Sequence, residues 1–437
     1  MKNIFGLAGL FLTGCLVVNT TFDKLPPGPY RAILYLDGRL SQPVQPDEVA
    51  ANFDLEDVNR GELPFNMELS YDVDSSLSIV VINGEERIEV PDVSYERLME
   101  TAQDSITIRF PWIDAYVTGY HEAGIIEGTY IDETRSNYRI PFAAFYGIGH
   151  RFTELKKTPT ADLTGRWDVQ FSVEDTSSIW TGIGDFTQDG NQLTGTFLTA
   201  TGDYRYLEGT VQENRFYMSA FDGAHVFLFS GKILENGSLL GIFRSGNHFS
   251  TIWEAQRNPD ARLPDASKET RLINPEARIN VEAFDPKTLS SISVLNQANL
   301  EGKFKVVSIM GTWCPNCMDE ARFLDSLYQT VDQSKVAFMG LAFEKFRDTT
   351  RAVKAITRFS ESLELDYPTY LAGSSVKSEA TKQLGFLDRI RSFPTLLIID
   401  DRNRVRYVHT GFTGPATSEY GSFTSAFAKT LQTLVAE

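Results

Sequence analysis

Cys314 and Cys317, in the run Trp313-Cys314-Pro315-Asn316-Cys317, are the residues of this 437-residue chain best suited to covalent chemistry. The run lies where a buried-strand pattern gives way to a helical one. Free backbone N–H groups and the positive end of the helix dipole at such a junction favour an anion, so the thiolate of Cys314 is the expected nucleophile. The spacing puts Cys317 on the first turn behind Cys314, near enough to bond to it and less exposed to a partner. Attack by Cys314 on a substrate disulfide would give a mixed disulfide, which Cys317 then resolves. Pro315 suits the first helical turn because it has no N–H to leave unpaired. No cofactor is expected beyond a redox-active Cys314–Cys317 disulfide. A zinc site would need further ligands, and His121, His150, His225, His248 and His409 are scattered with no pair at metal-ligand spacing, so no metal is expected.

The elements that must hold this pair follow from hydrophobic periodicity. Residues 305–310 form a strand pattern, and Cys317, Ala321, Leu324, Leu327 and Val331 recur at helical spacing. Residues 336–343 are a second buried strand, and Ala352, Ile356, Phe359 and Leu363 mark a second helix. Later strands are expected at 395–399 and 405–408. Tyr420, Phe423, Phe427, Leu431 and Leu434 give a closing amphipathic helix. Alternating strands and helices predict an α/β domain over 279–437, with a parallel part and an antiparallel edge.

Upstream, from 30 to 257, short alternating β-prone segments such as Ser105-Ile106-Thr107-Ile108-Arg109-Phe110 are separated by turn signals. Asn83-Gly84, Asp189-Gly190, Gly202-Asp203 and Asn236-Gly237 suit tight hairpins. This predicts a multidomain chain with two antiparallel all-β, meander or barrel-like units, at 30–158 and 159–257, of about eight strands each. The second reads as a repeat of the first. Gly28-Pro29-Tyr30 is similar to Gly165-Arg166-Trp167, and Gly84-Glu85-Glu86-Arg87 to Gly202-Asp203-Tyr204-Arg205. Further on, Phe110, Gly119, Gly124 and Gly128 lie over Phe221, Gly231, Gly237 and Gly241. A segment of helical character, 46–59, distinguishes the first unit, and 258–278 reads as an exposed linker.

Trp-Cys-X-X-Cys between a strand and a helix, followed downstream by Ser392-Phe393-Pro394-Thr395, resembles the thioredoxin superfamily, and within it the TlpA/ResA-like membrane-anchored thiol–disulfide oxidoreductases. The resemblance covers 279–437 and implies a thioredoxin fold there. It implies that Pro394 is cis and faces the cysteine pair, leaving the backbone beside Phe393 free to pair with an extended substrate. Trp313, Phe393 and Thr395 are then the substrate-binding residues. Glu320 matches a glutamate that the family associates with proton exchange, which completes a catalytic set of Cys314, Cys317, Glu320 and Pro394. A solvated carboxylate near the helix N-terminus is the other reading of Glu320. The chain departs from the family at Arg322, where a proline is common, and has Ser308 where cytosolic thioredoxins bury an aspartate. A peroxiredoxin-like peroxidase is the nearer enzyme alternative, but Gly311 stands where peroxiredoxins place a threonine. By the same resemblance the substrates are disulfide-bonded envelope proteins and the electron donor a transmembrane thiol reductase.

The N-terminus separates Cys15 from the other two cysteines. Lys2 and the apolar run 4–12 read as a signal peptide over 1–14, too short for a stable span. Leu12-Thr13-Gly14-Cys15 resembles the bacterial lipobox, which implies cleavage before Cys15, its lipidation, and a protein held at the envelope and facing the periplasm. Residues 15–29, rich in proline, are expected to be a lipidated anchor and stiff spacer. No later run approaches the roughly 18 apolar residues of a transmembrane helix. Forty-one basic against 58 acidic side chains leave a formal charge of −17 at pH 7, which disfavours nucleic acid. A different class of function, a ligand- or partner-binding lipoprotein, would use Trp112, Tyr116, Phe227, Phe229 and Trp253 to line a site in the β units. Large inward residues would instead fill such a barrel.

Overall fold

The structure, a computed structural model, describes residues 25–38, 58, 61–73, 75–98, 103–175 and 177–436. The signal peptide, the lipidation site Cys15 and, except for Val58, the segment 46–59 lie outside the described residues.

The first β unit consists of β1 (Gly28–Tyr35), β2 (Glu62–Tyr71), β3 (Leu77–Asn83), β4 (Glu86–Val90), β5 (Val93–Leu98), β6 (Gln103–Phe110), β7 (Ala115–Glu122), β8 (Ile125–Asp132) and β9 (Tyr138–Tyr146). They form one sheet in the order β4-β3-β2-β1-β9-β8-β7-β6-β5. Pairing of β1 with β9 joins the two meander runs into a barrel-like sheet whose edges are β4 and β5. The spacer expectation fails near its end. Leu25 is fully buried, its carbonyl accepting from the Tyr71 hydroxyl at 2.9 Å, because the prolines lead straight into β1.

The second unit consists of β10 (Gly165–Phe171), β11 (Trp180–Asp189), β12 (Gln192–Thr199), β13 (Gly202–Asp203), β14 (Leu207–Gln212), β15 (Arg215–Phe221), β16 (Val226–Ile233), β17 (Leu239–Ser245) and β18 (Phe249–Arg257). Here β10 pairs with β18 and β11 with β12, so the ring closes, with the two-residue β13 added on β12. Corresponding hairpins of the two units carry opposed glycines, Gly119 against Gly128 and Gly231 against Gly241. A Cβ at Gly119 would lie 2.1 Å from the Glu127 carbonyl, and one at Gly241 2.2 Å from the Ser230 carbonyl. Only glycine allows these backbones to come so close.

The second barrel is filled. Phe171, Phe186, Phe197, Phe229, Phe243 and Trp253 share its core, with Phe197 stacked on Phe229 at 4.3 Å and Phe229 on Phe243 at 4.5 Å. Each such ring contributes about 1.5–3 kcal/mol of burial. Of the five aromatics considered as ligand-lining, all but the half-buried Tyr116 are core packing residues. Phe227, Phe229 and Trp253 belong to this core, Trp112 is buried with Nε1 donating to the Asp222 carbonyl at 3.1 Å, and Tyr116 lies under the Arg109 guanidinium at 5.8 Å. Strand β15 is buried on both faces. Phe216 and Met218 point into its own barrel, while Tyr217 and Phe221 join the first unit's core, where Phe221 meets Phe65 at 4.4 Å and Phe110 at 5.4 Å.

The C-terminal region runs β19 (Glu282–Asp285), β20 (Ser290–Ser293), β21 (Phe304–Met310), α1 (Pro315–Tyr328), β22 (Val336–Glu344), α2 (Thr349–Ser362), β23 (Thr369–Ser374), α3 (Lys377–Leu384), β24 (Thr395–Ile399), β25 (Val405–Thr410) and α4 (Tyr420–Ala436). Its seven strands are ordered β20-β19-β23-β22-β21-β24-β25, with β22 parallel to both β21 and β23. The hairpin β19–β20, strand β23 and helix α3 exceed the element order expected from periodicity. The hairpin strands have four residues each, and α3 buries only Ala380 and Leu384, too few positions for a visible stripe. The expected linker is also corrected. Ala261 is buried against Ile183 and Leu198 of the second barrel, Thr270 is buried beside Thr410, Leu272 bridges Leu387 and Arg278 bridges Arg404, so this segment packs first on the barrel and then on the C-terminal domain. Among the described residues no helix is long and apolar enough to cross a membrane.

Candidate active site

Strand β21 delivers the chain to the start of α1, where Cys314 is the N-cap and Pro315 takes the first turn. Sulfur replaces the usual capping oxygen, the Cys317 N–H donating to Cys314 Sγ at 3.3 Å. The Cys314 thiol donates in turn to the Phe393 carbonyl at 3.5 Å. Both cysteines are free thiols and buried, Cys314 7% and Cys317 1% exposed. Burial, then the hydrogen bond and charge of Cys314, push the Cys317 thiol well up from its ordinary value. A thiol so placed needs a base to release its proton.

Glu320 stands one turn further along α1 and is fully buried, so it is not a solvated carboxylate. Burial pushes its pKa up to about 8, against the opposing pull of Ser308, whose hydroxyl donates to Oε1 at 2.5 Å. Oε2 has no hydrogen-bond partner among the described residues. Ser308 on β21 thus supports the glutamate from the position where cytosolic thioredoxins bury an aspartate. A carboxyl that changes charge near pH 8 beside a buried thiol can take up and return a proton.

The other residues singled out in the sequence converge here, with one correction. Trp313 donates from Nε1 to the Phe343 carbonyl at 2.9 Å and meets Phe393 edge-on at 5.6 Å. The Phe393–Pro394 bond is cis. Thr395, expected at the substrate face, is fully buried and its hydroxyl donates to the Ser392 carbonyl at 2.8 Å, so it braces the loop instead.

Sequence reasoning missed three residues. Glu344, at the end of β22, accepts from the Thr312 N–H and hydroxyl, each at 2.9 Å, and burial pushes its pKa up to about 7. It fixes the backbone two residues ahead of Cys314, and its signal was a carboxyl closing an apolar strand. Next to it, Lys345 places its ammonium 4.6 Å from the Trp313 ring centre. Arg205, in the turn after β13, is 2% exposed and pairs with Glu86 on β4, with Asp222 at 3.2 Å and with Asp319 on α1. Burial works against its charge, and Asp319, Glu86 and Asp222 outweigh that penalty. One guanidinium thereby joins both barrels to the helix that carries the cysteines.

The C-terminal region is thioredoxin-like, and by class a thiol–disulfide oxidoreductase. Residues 260–422 match a family model described as Redoxin. The thiol:disulfide interchange protein DsbE of Escherichia coli K12 is 24% identical over 169 residues, which span 38% of this chain and 80% of that protein. Among solved structures, a thioredoxin-family thiol:disulfide interchange protein from Chlorobium tepidum aligns at 20% identity over 37% of this chain and 97% of its own, with a TM-score of 0.28. A thiol-disulfide isomerase from Corynebacterium glutamicum aligns at 17% identity over 38% of this chain and 97% of its own, with a TM-score of 0.27.

Proposed function

We propose that this is a lipid-anchored, periplasm-facing protein that reduces disulfides of envelope proteins through Cys314 and Cys317. The observation that carries the reading is the arrangement at the start of α1, with Cys314 Sγ accepting the Cys317 N–H and the buried Glu320 carboxyl on the same helix. In the first step Cys314 Sγ bonds to one substrate sulfur, the substrate S–S bond breaks, and the other sulfur leaves with the electron pair and takes a proton. In the second, Cys317 gives its proton to the Glu320 carboxylate and attacks Cys314 Sγ. The second substrate sulfur leaves with the electron pair of its bond to Cys314 and takes the proton back from Glu320, and the Cys314–Cys317 disulfide remains. The substrate has gained two electrons and the cysteine pair has lost them. A membrane thiol reductase restores the dithiol, and no other cofactor takes part.

The anchor is supported by Leu12-Thr13-Gly14-Cys15, and the substrate class by similarity to a protein named for thiol:disulfide interchange. Cys314→Ser should abolish reduction of a model disulfide, whereas Cys317→Ser should accumulate mixed disulfides with its substrates. If Cys317→Ser traps nothing and the wild type reduces no disulfide, the proposal is wrong. Cys15→Ala should move the protein from the membrane to the soluble fraction.

A further inference from the structure

The face of the C-terminal domain that would receive an extended substrate is covered within this chain. Ser392 and Phe393, beside the cis-proline, are only 4% and 5% exposed. Trp313 and Phe343 pack on the Phe393 ring at 5.6 and 5.9 Å, and the cover over Ser392 is the turn between β12 and β13 of the second barrel. The Thr201 carbonyl accepts from the Ser392 hydroxyl at 3.4 Å. Gly202 is packed on the residue between the cysteines so closely that a Cβ would lie 1.9 Å from Asn316 Nδ2. On the far side, a Cβ at Gly411 would lie 2.7 Å from the Ala200 carbonyl. The turn is also stiffened from within, the Thr199 hydroxyl donating to the Gly202 carbonyl at 2.8 Å. Behind it, Arg205 ties the same segment to Asp319 on α1. The opposite rim is held by the first barrel, where Thr134 Oγ1 accepts from Lys345 Nζ at 3.5 Å.

We propose that the β12–β13 turn is a specificity-determining element of the thiol site. Resting on the oxidoreductase reading above, it narrows the substrate class to disulfides carried on unstructured polypeptide and excludes those on the surface of folded proteins. The physical ground is steric. A folded partner must lay a surface across Ser392, where the turn already lies, whereas a flexible chain can bring one sulfur to Cys314 along the remaining gap beside Trp313 and Pro315, both only partly buried. No covalent step differs from the exchange already described.

The test uses the full chain, chemically reduced, in single turnovers with an unstructured disulfide-linked peptide and with insulin. Each rate is normalised to the rate of dithiothreitol with the same substrate, which removes differences in intrinsic disulfide reactivity. Wild type should prefer the peptide by at least about tenfold, a difference of roughly 1.4 kcal/mol in barrier. Gly202→Val, which forces a β-branched residue to φ +137° and crowds Asn316, should displace the turn and narrow that preference at least threefold. Equal normalised rates in wild type overturn the proposal, and so does an unchanged preference in a folded Gly202→Val. If that variant does not fold, the wild-type ratio alone decides. Failure of wild type to react with either substrate, while dithiothreitol reduces both, sinks the oxidoreductase reading as well.

Discussion

Asp319 and Glu320 are neighbours on α1, 5% and 0% exposed, yet they point into different regions of the molecule. Asp319 faces the second barrel and meets the Arg205 guanidinium, with Arg322 at 3.8 Å as a further partner. Glu320 faces the C-terminal core, where one hydroxyl is its hydrogen-bond donor and burial drives its pKa up. Burial disfavours a carboxylate unless a cation or enough donors replace the lost water. The interface side supplies a cation and so uses its acid as a fastener. The interior side withholds one and keeps an acid whose proton can move.

The interface half of this contrast should give the largest effect when broken. Arg205→Ala leaves Glu86, Asp222 and Asp319 facing one another without their shared cation. Removing one member of a buried ion pair costs about 3–5 kcal/mol, so denaturant unfolding should show a loss of that size. A loss under about 1 kcal/mol would mean that water replaces the guanidinium and that the interface is not dry.

The interior half is sharpened by pH. Burial raises Glu320 to about 8, and raises Asp203 and Glu344 to about 7. Unfolded carboxyls titrate near about 4, so between these limits the folded state holds protons that the unfolded chain has released. Stability should therefore fall as pH rises from about 4 towards about 8, by at most roughly 1.4 kcal/mol per pH unit for each group. Glu320→Gln should abolish the slope between pH 7 and 8, where the other two groups have already titrated, and cut the slope below pH 7 by about a third, leaving the shares of Asp203 and Glu344. In turnover, the same variant should slow release of the mixed disulfide more than its formation, which quench-flow with thiol trapping would resolve.

A smaller effect is expected at Glu344. Glu344→Gln keeps an acceptor for Thr312 but sets an amide nitrogen against one of its two donors. A loss of about 1–2 kcal/mol in thermal unfolding is expected, with its share of the pH slope between about 4 and 7 removed as well.

The cysteine pair and the elements around it were legible because the signals are local. A strand, a helix with proline in its first turn and a helical stripe all lie within neighbouring residues. Arg205 was not legible, since it sits in an ordinary polar turn and its partners Glu86 and Asp319 are 119 and 114 residues away. Asp319 and Arg322 likewise read as a solvated helix face, and only the second barrel makes that face an interior one. Thr395 was misplaced because a residue after a strand-initiating proline can face either side, and the sequence does not say which. The aromatics of the second unit have the composition of a binding site, and only strand alternation in three dimensions shows that they fill the barrel.

The contact between Phe110 and Phe221 has a geometric consequence. These residues correspond when the two β units are aligned, and their rings meet at 5.4 Å. A second matched pair of segments also meets, Glu86 in Gly84-Glu85-Glu86-Arg87 binding Arg205 in Gly202-Asp203-Tyr204-Arg205. The two barrels therefore meet through segments that this alignment pairs, the ends of β6 and β15, and the start of β4 with the connection after β13. The third domain adds Asp319 to that contact, so the guanidinium that the start of β4 holds from one side is held from the other by the helix that carries the thiols.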